Sequence, residues 1–166
     1  GYFPTEARHI MATNDLDELI ERLNEALSWE LAGIVQYMNH ATMVTGPERV
    51  ALEDFFEDGS EEALDHAQIV GNKIAALGGV PTVEPAKIRQ ATDTEGMLQA
   101  ALDLEKDAME AWEAALEVAD AANAGTAFWL EDHISEEQEH IDELNLLTEQ
   151  VVYGAEDIDR GVAESG

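Results

Sequence analysis

Six side chains of this 166-residue sequence suggest a chemistry that none of them has alone: Glu30, Glu62 with His66, Glu105, and Glu137 with His140. Each stands in or beside a helical stripe of apolar residues, where a leucine would suit the pattern better. A carboxylate taken out of water without a partner costs several kcal/mol, and four together repel, so a buried set requires a cation. Hard oxygen donors mixed with two imidazoles suit iron or manganese, with zinc as a common substitute. Four carboxylates and two histidines suffice for two divalent ions.

Four helical patterns must position these groups. Residues 15–44 place Leu16, Ile20, Leu23, Leu27, Glu30, Ile34, Tyr37, Ala41 and Val44 at alternating steps of four and three, the mark of one helix seam. Asn14 and Asp15 supply N-cap chemistry, and Thr45-Gly46 stops the pattern. Pro47 suits a first turn, and a second seam runs through Leu52, Phe55, Gly59, Glu62, His66, Val70, Ile74 and Leu77. The stretch GGVPTVEPAKIRQATD then reads as an irregular connection. Thr92-x-x-Glu95 has the form of a capping box opening a third helix, whose seam carries Leu98, Leu102, Glu105, Met109, Trp112 and Leu116. After Asn123-Ala-Gly125, a fourth helix is expected from about Thr126 to Val152, with Leu130, Ile134, Glu137, Ile141, Leu144 and Val151 on its stripe and His140 beside it.

The turn lengths predict topology. Short turns join helices one to two and three to four, making two antiparallel hairpins, whereas the middle connection is long. One long crossover between two hairpins describes an all-α, ferritin-like four-helix bundle. Counted from the turns near residues 45 and 124, the six side chains fall within about a turn of one another at mid-bundle. Glu137-x-x-His140 also has the spacing that puts both groups on one helical face, as in di-iron carboxylate bundles. With 37 Asp+Glu present, any one of these acids taken alone is more readily read as a solvated helix-edge residue; the coincidence of level across four helices favours the metal site. Tyr37 is either a core tyrosine with its hydroxyl bonded or a redox accessory beside the metals. Trp29, Trp112 and Trp129 read as packing, Trp112 being near enough to Glu105 to line the site. His9, His40 and His133 lie off this level or off the seam and read as surface or structural. Residues 1–14 are expected to form an N-terminal extension, 15–152 the bundle, and 153–166 a loose acidic tail.

Composition excludes several classes. The formal net charge is −29, with only 8 Lys+Arg and no Cys. Lack of Cys removes disulfides, thiolate metal sites and a cysteine nucleophile. The scattered cations form no basic arm, so neither nucleic acid nor an anionic membrane is an expected partner. No apolar run is long enough to span a membrane. The chain begins with Gly rather than Met, which suggests a processed, tagged or truncated start.

At these residues the sequence resembles the bacterioferritin branch of the ferritin-like superfamily. LNEALSWELAGIVQYMNHATM is similar to that family's first-helix signature, SEEALDHAQIVGNKIAALGGVPTV to its second helix and exit, MLQAALDLEKDA to its third, and EEQEHIDEL to its fourth. The resemblance implies Glu30 and Glu105 as terminal ligands, Glu137 as a bridging carboxylate, and His66 and His140 as imidazole ligands. One position departs: the pattern calls for Glu at residue 63, which here is Ala63. Glu62, four residues before His66, can share a face with it and is the substitute ligand. The family's axial haem Met corresponds to Leu64, so no haem is expected, and the tail lacks the apolar fifth helix of 24-subunit shells.

The resemblance therefore implies a cytoplasmic homo-oligomer, either dimer or cage, with two iron ions (or manganese or zinc) held by Glu30, Glu62, His66, Glu105, Glu137 and His140. Its expected activity is oxidation of Fe(II) by O₂ or H₂O₂ for iron storage or detoxification. Two other readings stand beside it. One is a non-storing di-iron or di-manganese peroxidase or oxidase; the other is a structural protein whose metal site Ala63 has degraded.

Overall fold

The structure is a computed structural model; it describes the backbone of residues 5–163 and the side chains of residues 14–148. Four helices make up the fold: α1 (Thr5–Met43), α2 (Arg49–Ala76), α3 (Thr94–Ala122) and α4 (Ala124–Ala163). No described helix is long and apolar enough to cross a membrane.

Helix α1 packs against both α2 and α3, and α3 against α4. Both hairpins are antiparallel. The first hairpin turn and the start of the crossover use backbone that suits glycine: Gly46 after α1 and Gly78 after α2 have φ of +83° and +89°, a region where a Cβ is strained. Pro47 lies in the first turn region rather than inside α2, which begins at Arg49 behind Glu48. At α3 the cap differs from the expected box. Asp93, not Thr92, is the N-cap, and its carboxylate accepts from Gly96 N; Asp is as good a cap as Ser or Thr, and only the backbone direction decides between neighbours. Asn123 separates α3 from α4 and caps the latter, its Oδ1 accepting from Thr126 N at 2.9 Å. The first and last helices are longer than their apolar stripes predict, α1 beginning at Thr5 and α4 ending at Ala163.

Residues 77–93 return along α1 without regular structure, pinned to it about once per helical turn or two. Asn24 bonds both Val80 O and Thr82 N, Ser28 O accepts from Ala86 N, and Gln36 Oε1 accepts from Arg89 N at 2.9 Å. Gln36 is fully buried and also donates to Ala100 O, so one amide ties the crossover to α1 and α3. Irregular backbone so near the core must find such partners.

The apolar core is in two pieces. Leu19, Leu23, Val70, Ile74, Trp112 and Leu130 belong to one; Val44, Phe56, Met97, Leu98, Ile141 and Leu144 belong to the other. A layer of carboxylates and imidazoles lies between them.

Candidate metal centre

Two groups of donors occupy that layer. In the first, Glu30 of α1, His66 of α2, and His133 and Glu137 of α4 bring one ligand atom each within 4.8 Å of all the others. In the second, Glu105 of α3 joins Glu137 and His140 of α4 by the same measure. Glu137 belongs to both. Of the six residues singled out in the sequence, five are thus gathered into overlapping clusters. The sixth, Glu62, stands at the edge: its side chain is 54% exposed, yet Oε2 lies 3.1 Å from His140 Nε2.

The first group is enclosed. Glu30, His133 and Glu137 are all buried, and the His66 side chain is 14% exposed. His66 Nδ1 lies 3.6 Å from Glu30 Oε2 and His133 Nε2 4.0 Å from Glu30 Oε1, too far for hydrogen bonds. Trp112 donates its indole N–H to Glu30 Oε1 at 3.3 Å. Burial pushes the carboxyls of Glu30 and Glu137 above the usual range; the neighbouring Glu105 charge adds to this, while His66 opposes it at Glu30. Burial would lower His66, but the approach of Glu30 and the nearby Glu105 and Glu62 charges outweigh it and its pKa rises. His133 has no such compensation. Burial, reinforced by His66 and His140, lowers it to about 3, so its ring is neutral at physiological pH.

The second group opens outward. A cavity of about 190 Å³ is lined by Tyr37, Asp58, Glu62, Glu105, His140 and Glu143, among others. Tyr37 is buried and donates its hydroxyl to Glu105 Oε1 at 2.5 Å. Burial and the Glu105 charge hold that phenol well above its ordinary pKa, keeping it a donor. The ring has its place because of a mid-helix glycine: a Cβ on Gly59 would come within 2.8 Å of Tyr37 Cδ1.

Two buried polar atoms in this layer, His133 Nε2 and Glu137 Oε1, have no hydrogen-bond partner. Buried polar groups are nearly always satisfied. Together with closely spaced carboxylates that, among the described residues, no Lys or Arg neutralises, they fit a pair of divalent cations.

His133, expected from the sequence to be surface or structural, is instead among the buried donors. Its signal was present, because positions 130, 133, 137, 140 and 144 form a stripe with the same four-and-three spacing as 130, 134, 137, 141 and 144. Packing of α4 against α3 turns the first stripe inward at this level, where His133 meets His66 of α2, with Ile134 only partly buried beside it. His40 is also fully buried, its ring edge-on to Phe56 at 5.6 Å and both nitrogens unpartnered. The side chain of His9 lies outside the described residues. Ala63 is buried against α1: a Cβ on Gly33 would lie 3.3 Å from that of Ala63. Leu64, by contrast, is half exposed.

Comparison with known proteins agrees with this architecture. The family model of the ferritin-like domain matches residues 20–151. The bacterioferritin of Streptomyces coelicolor is 30% identical over 76% of this chain and 77% of its own, and that of Brucella melitensis 32% identical over 75% and 79%. A nutrient stress-induced DNA-binding protein of Synechococcus is 32% identical over 58% of this chain; the match spans only 57% of that relative's length. A solved structure from Bacillus anthracis, described as a ferritin-like, diiron-carboxylate protein, superposes with a TM-score of 0.78 at 37% identity, covering 81% of this chain and 97% of that one. A four-helix bundle with one long crossover, a Glu/His cluster between two apolar half-cores and a domain match over most of its length place this chain in the ferritin-like family.

Proposed function

We propose that this chain is a ferroxidase of the iron-storage or iron-detoxification kind, taking Fe(II) and O₂ or H₂O₂ as substrates. The observation that carries this reading is the shared Glu137, one of whose oxygens is buried and unpartnered between two donor groups. Glu30, His66, Glu137, Glu105 and His140 would hold the pair of ions, with Glu62 at the mouth. Bound iron supplies the electrons: two Fe(II) give up one each, and O₂ takes both with two protons to leave as H₂O₂. The chain's own residues keep the ions within bridging distance and exclude bulk water from the Glu30 side. Asp58, Glu62 and Glu143 line the entrance, where their charge raises the local concentration of cations. Tyr37 holds Glu105 in place and is near enough to serve as a redox accessory.

Assembly with further copies of the chain is part of the proposal. Val35 and Met38 on α1, and Leu64 and Ile69 on α2, leave large apolar side chains exposed, as suits a surface that a second copy covers. Although the Synechococcus relative is named as DNA-binding, the charge of −29 opposes contact with phosphates. A gel-shift assay at low salt is expected to show no complex.

Aerobic addition of Fe(II), followed by ferric absorbance, tests the activity. Rapid oxidation by the wild type and its loss in Glu137→Ala are expected; equally slow oxidation by both ends the enzyme reading. Light scattering separates shell from dimer, and a dimer rules out an enclosed mineral store.

A further inference from the structure

The proposed function leaves out one buried donor in the layer. We propose that His133 is a metal ligand through Nε2, making the enclosed half of the centre a four-donor site of Glu30, His66, His133 and Glu137 that takes up a divalent ion before the open half does. This rests on the dinuclear reading above.

Three observations carry it. First, His133 is 6% exposed and its Nε2 has no hydrogen-bond partner; a neutral imidazole nitrogen in that state is a ready metal ligand. Second, the spacing is that of donors around one ion. Metal–nitrogen and metal–oxygen bonds of about 2.0–2.2 Å put two donors of the same ion roughly 3–4 Å apart, and Glu30 lies 3.6 Å from His66 and 4.0 Å from His133. Third, the ring is held in place. It packs edge-on to Trp112 at 4.2 Å and to His66 at 4.5 Å, and stacks on Trp129 at 5.8 Å. Such packing aims the nitrogen without a hydrogen bond of its own.

The need for this ligand is local. Helix α2 offers the enclosed half only His66, because the residue one turn earlier, Ala63, is packed against Gly33 and has no donor, while Glu62 turns to the mouth. Helix α4 makes up the count by giving two donors, His133 and Glu137, four residues apart on one face. The two halves then differ in kind: two imidazoles and two carboxylates that are buried or nearly so on one side, and on the other Glu105 and His140, which line a cavity and share Glu137.

Anaerobic Co(II) titration of the metal-free protein, read by visible absorbance and by equilibrium dialysis, tests the assignment. Wild type should bind two Co(II) per chain in two spectrally distinct steps. His133→Phe, which keeps a ring against both tryptophans, should weaken the first step by about 100-fold or more and erase its band while leaving the second. Two unchanged steps in a folded His133→Phe overturn the proposal. Fewer than two Co(II) on the wild type breaks the dinuclear reading instead, and His133 stands as a ligand only if that single step vanishes in the variant. Crystals of the wild type soaked with Co(II) decide independently of the variant's folding. An anomalous peak about 2.0–2.2 Å from Nε2 is expected, and one more than about 3 Å away rules the ligand out.

Discussion

The two halves of the centre share Glu137 but little else. On one side His133 packs against Trp112, Trp129 and His66, Trp112 bonds Glu30, and the carboxylates are pushed toward their neutral forms. On the other, Glu105 and His140 meet a cavity rimmed by further acids, and Tyr37 fixes Glu105 by a short hydrogen bond. Enclosure makes charge expensive, so that half is strained without a cation and tight with one. Access to solvent makes the other half easy to fill and to empty. The contrast suggests that a bundle can combine retention and exchange by burying one end of a shared carboxylate more deeply than the other.

Removing the shared group should break the contrast entirely. Glu137→Gln is expected to weaken both ions by more than ~100-fold, since even outer-sphere partners of a metal site are worth 10–100-fold; isothermal calorimetry checks this. The same variant should be more stable than wild type when both are metal-free. Glu137 has its pKa raised by burial, so the unfolded chain ionises first, and the wild type loses stability as pH rises above the ordinary Glu value of 4.5. The advantage of the Gln variant should accordingly grow from pH 4 to pH 8 in thermal melts. Inverse behaviour is expected of His133. Its pKa falls from 6.5 to about 3, so its contribution is complete above pH 6.5 and is lost as pH falls toward 3.

Chelation sharpens the comparison by acting mainly on the enclosed half. At a metal concentration 100 times Kd, binding adds about 2.7 kcal/mol, and stripping the ions should lower Tm by about 5–10 °C. Smaller still is the effect of Gly59→Ala, which drives a methyl against the Tyr37 ring beside the open half. Overpacking of about 1–3 kcal/mol is offset in part by a helix-propensity gain of about 1 kcal/mol. Urea denaturation should show a net loss, accompanied by weaker filling of the second site only. Glu62→Gln should do least: being exposed, it is expected to change stability by less than about 0.5 kcal/mol and to slow Fe(II) uptake a few-fold without altering stoichiometry.

Much of this was legible in the residues. Long stripes of period 3.6 and Gly-rich stops mark four helices, and the long proline-containing segment after Leu77 marks the crossover. Counting from the two turns brings Glu30, His66, Glu105, Glu137 and His140 to one level, as the structure places them. The path of the crossover was not legible, because it depends on side-chain amides, those of Asn24 and Gln36, that look like surface residues in a list. Nor was the cap of α3, where Thr92 and Asp93 offer equivalent chemistry.

What the sequence determined alone follows from local rules: helix period, turn chemistry, and the sum of residues between a turn and a donor. Those rules hold whichever way the helices are rotated. Which of two interleaved stripes on α4 faces inward, and hence whether His133 or Ile134 meets the site, depends on how α4 rolls against α3 and faces α2. So does the direction of Glu62, which lies on the shoulder of α2 and reaches His140 only from outside. A rotation of one helix by a fraction of a turn exchanges a buried imidazole for a buried isoleucine, and only the packing of all four helices sets that angle.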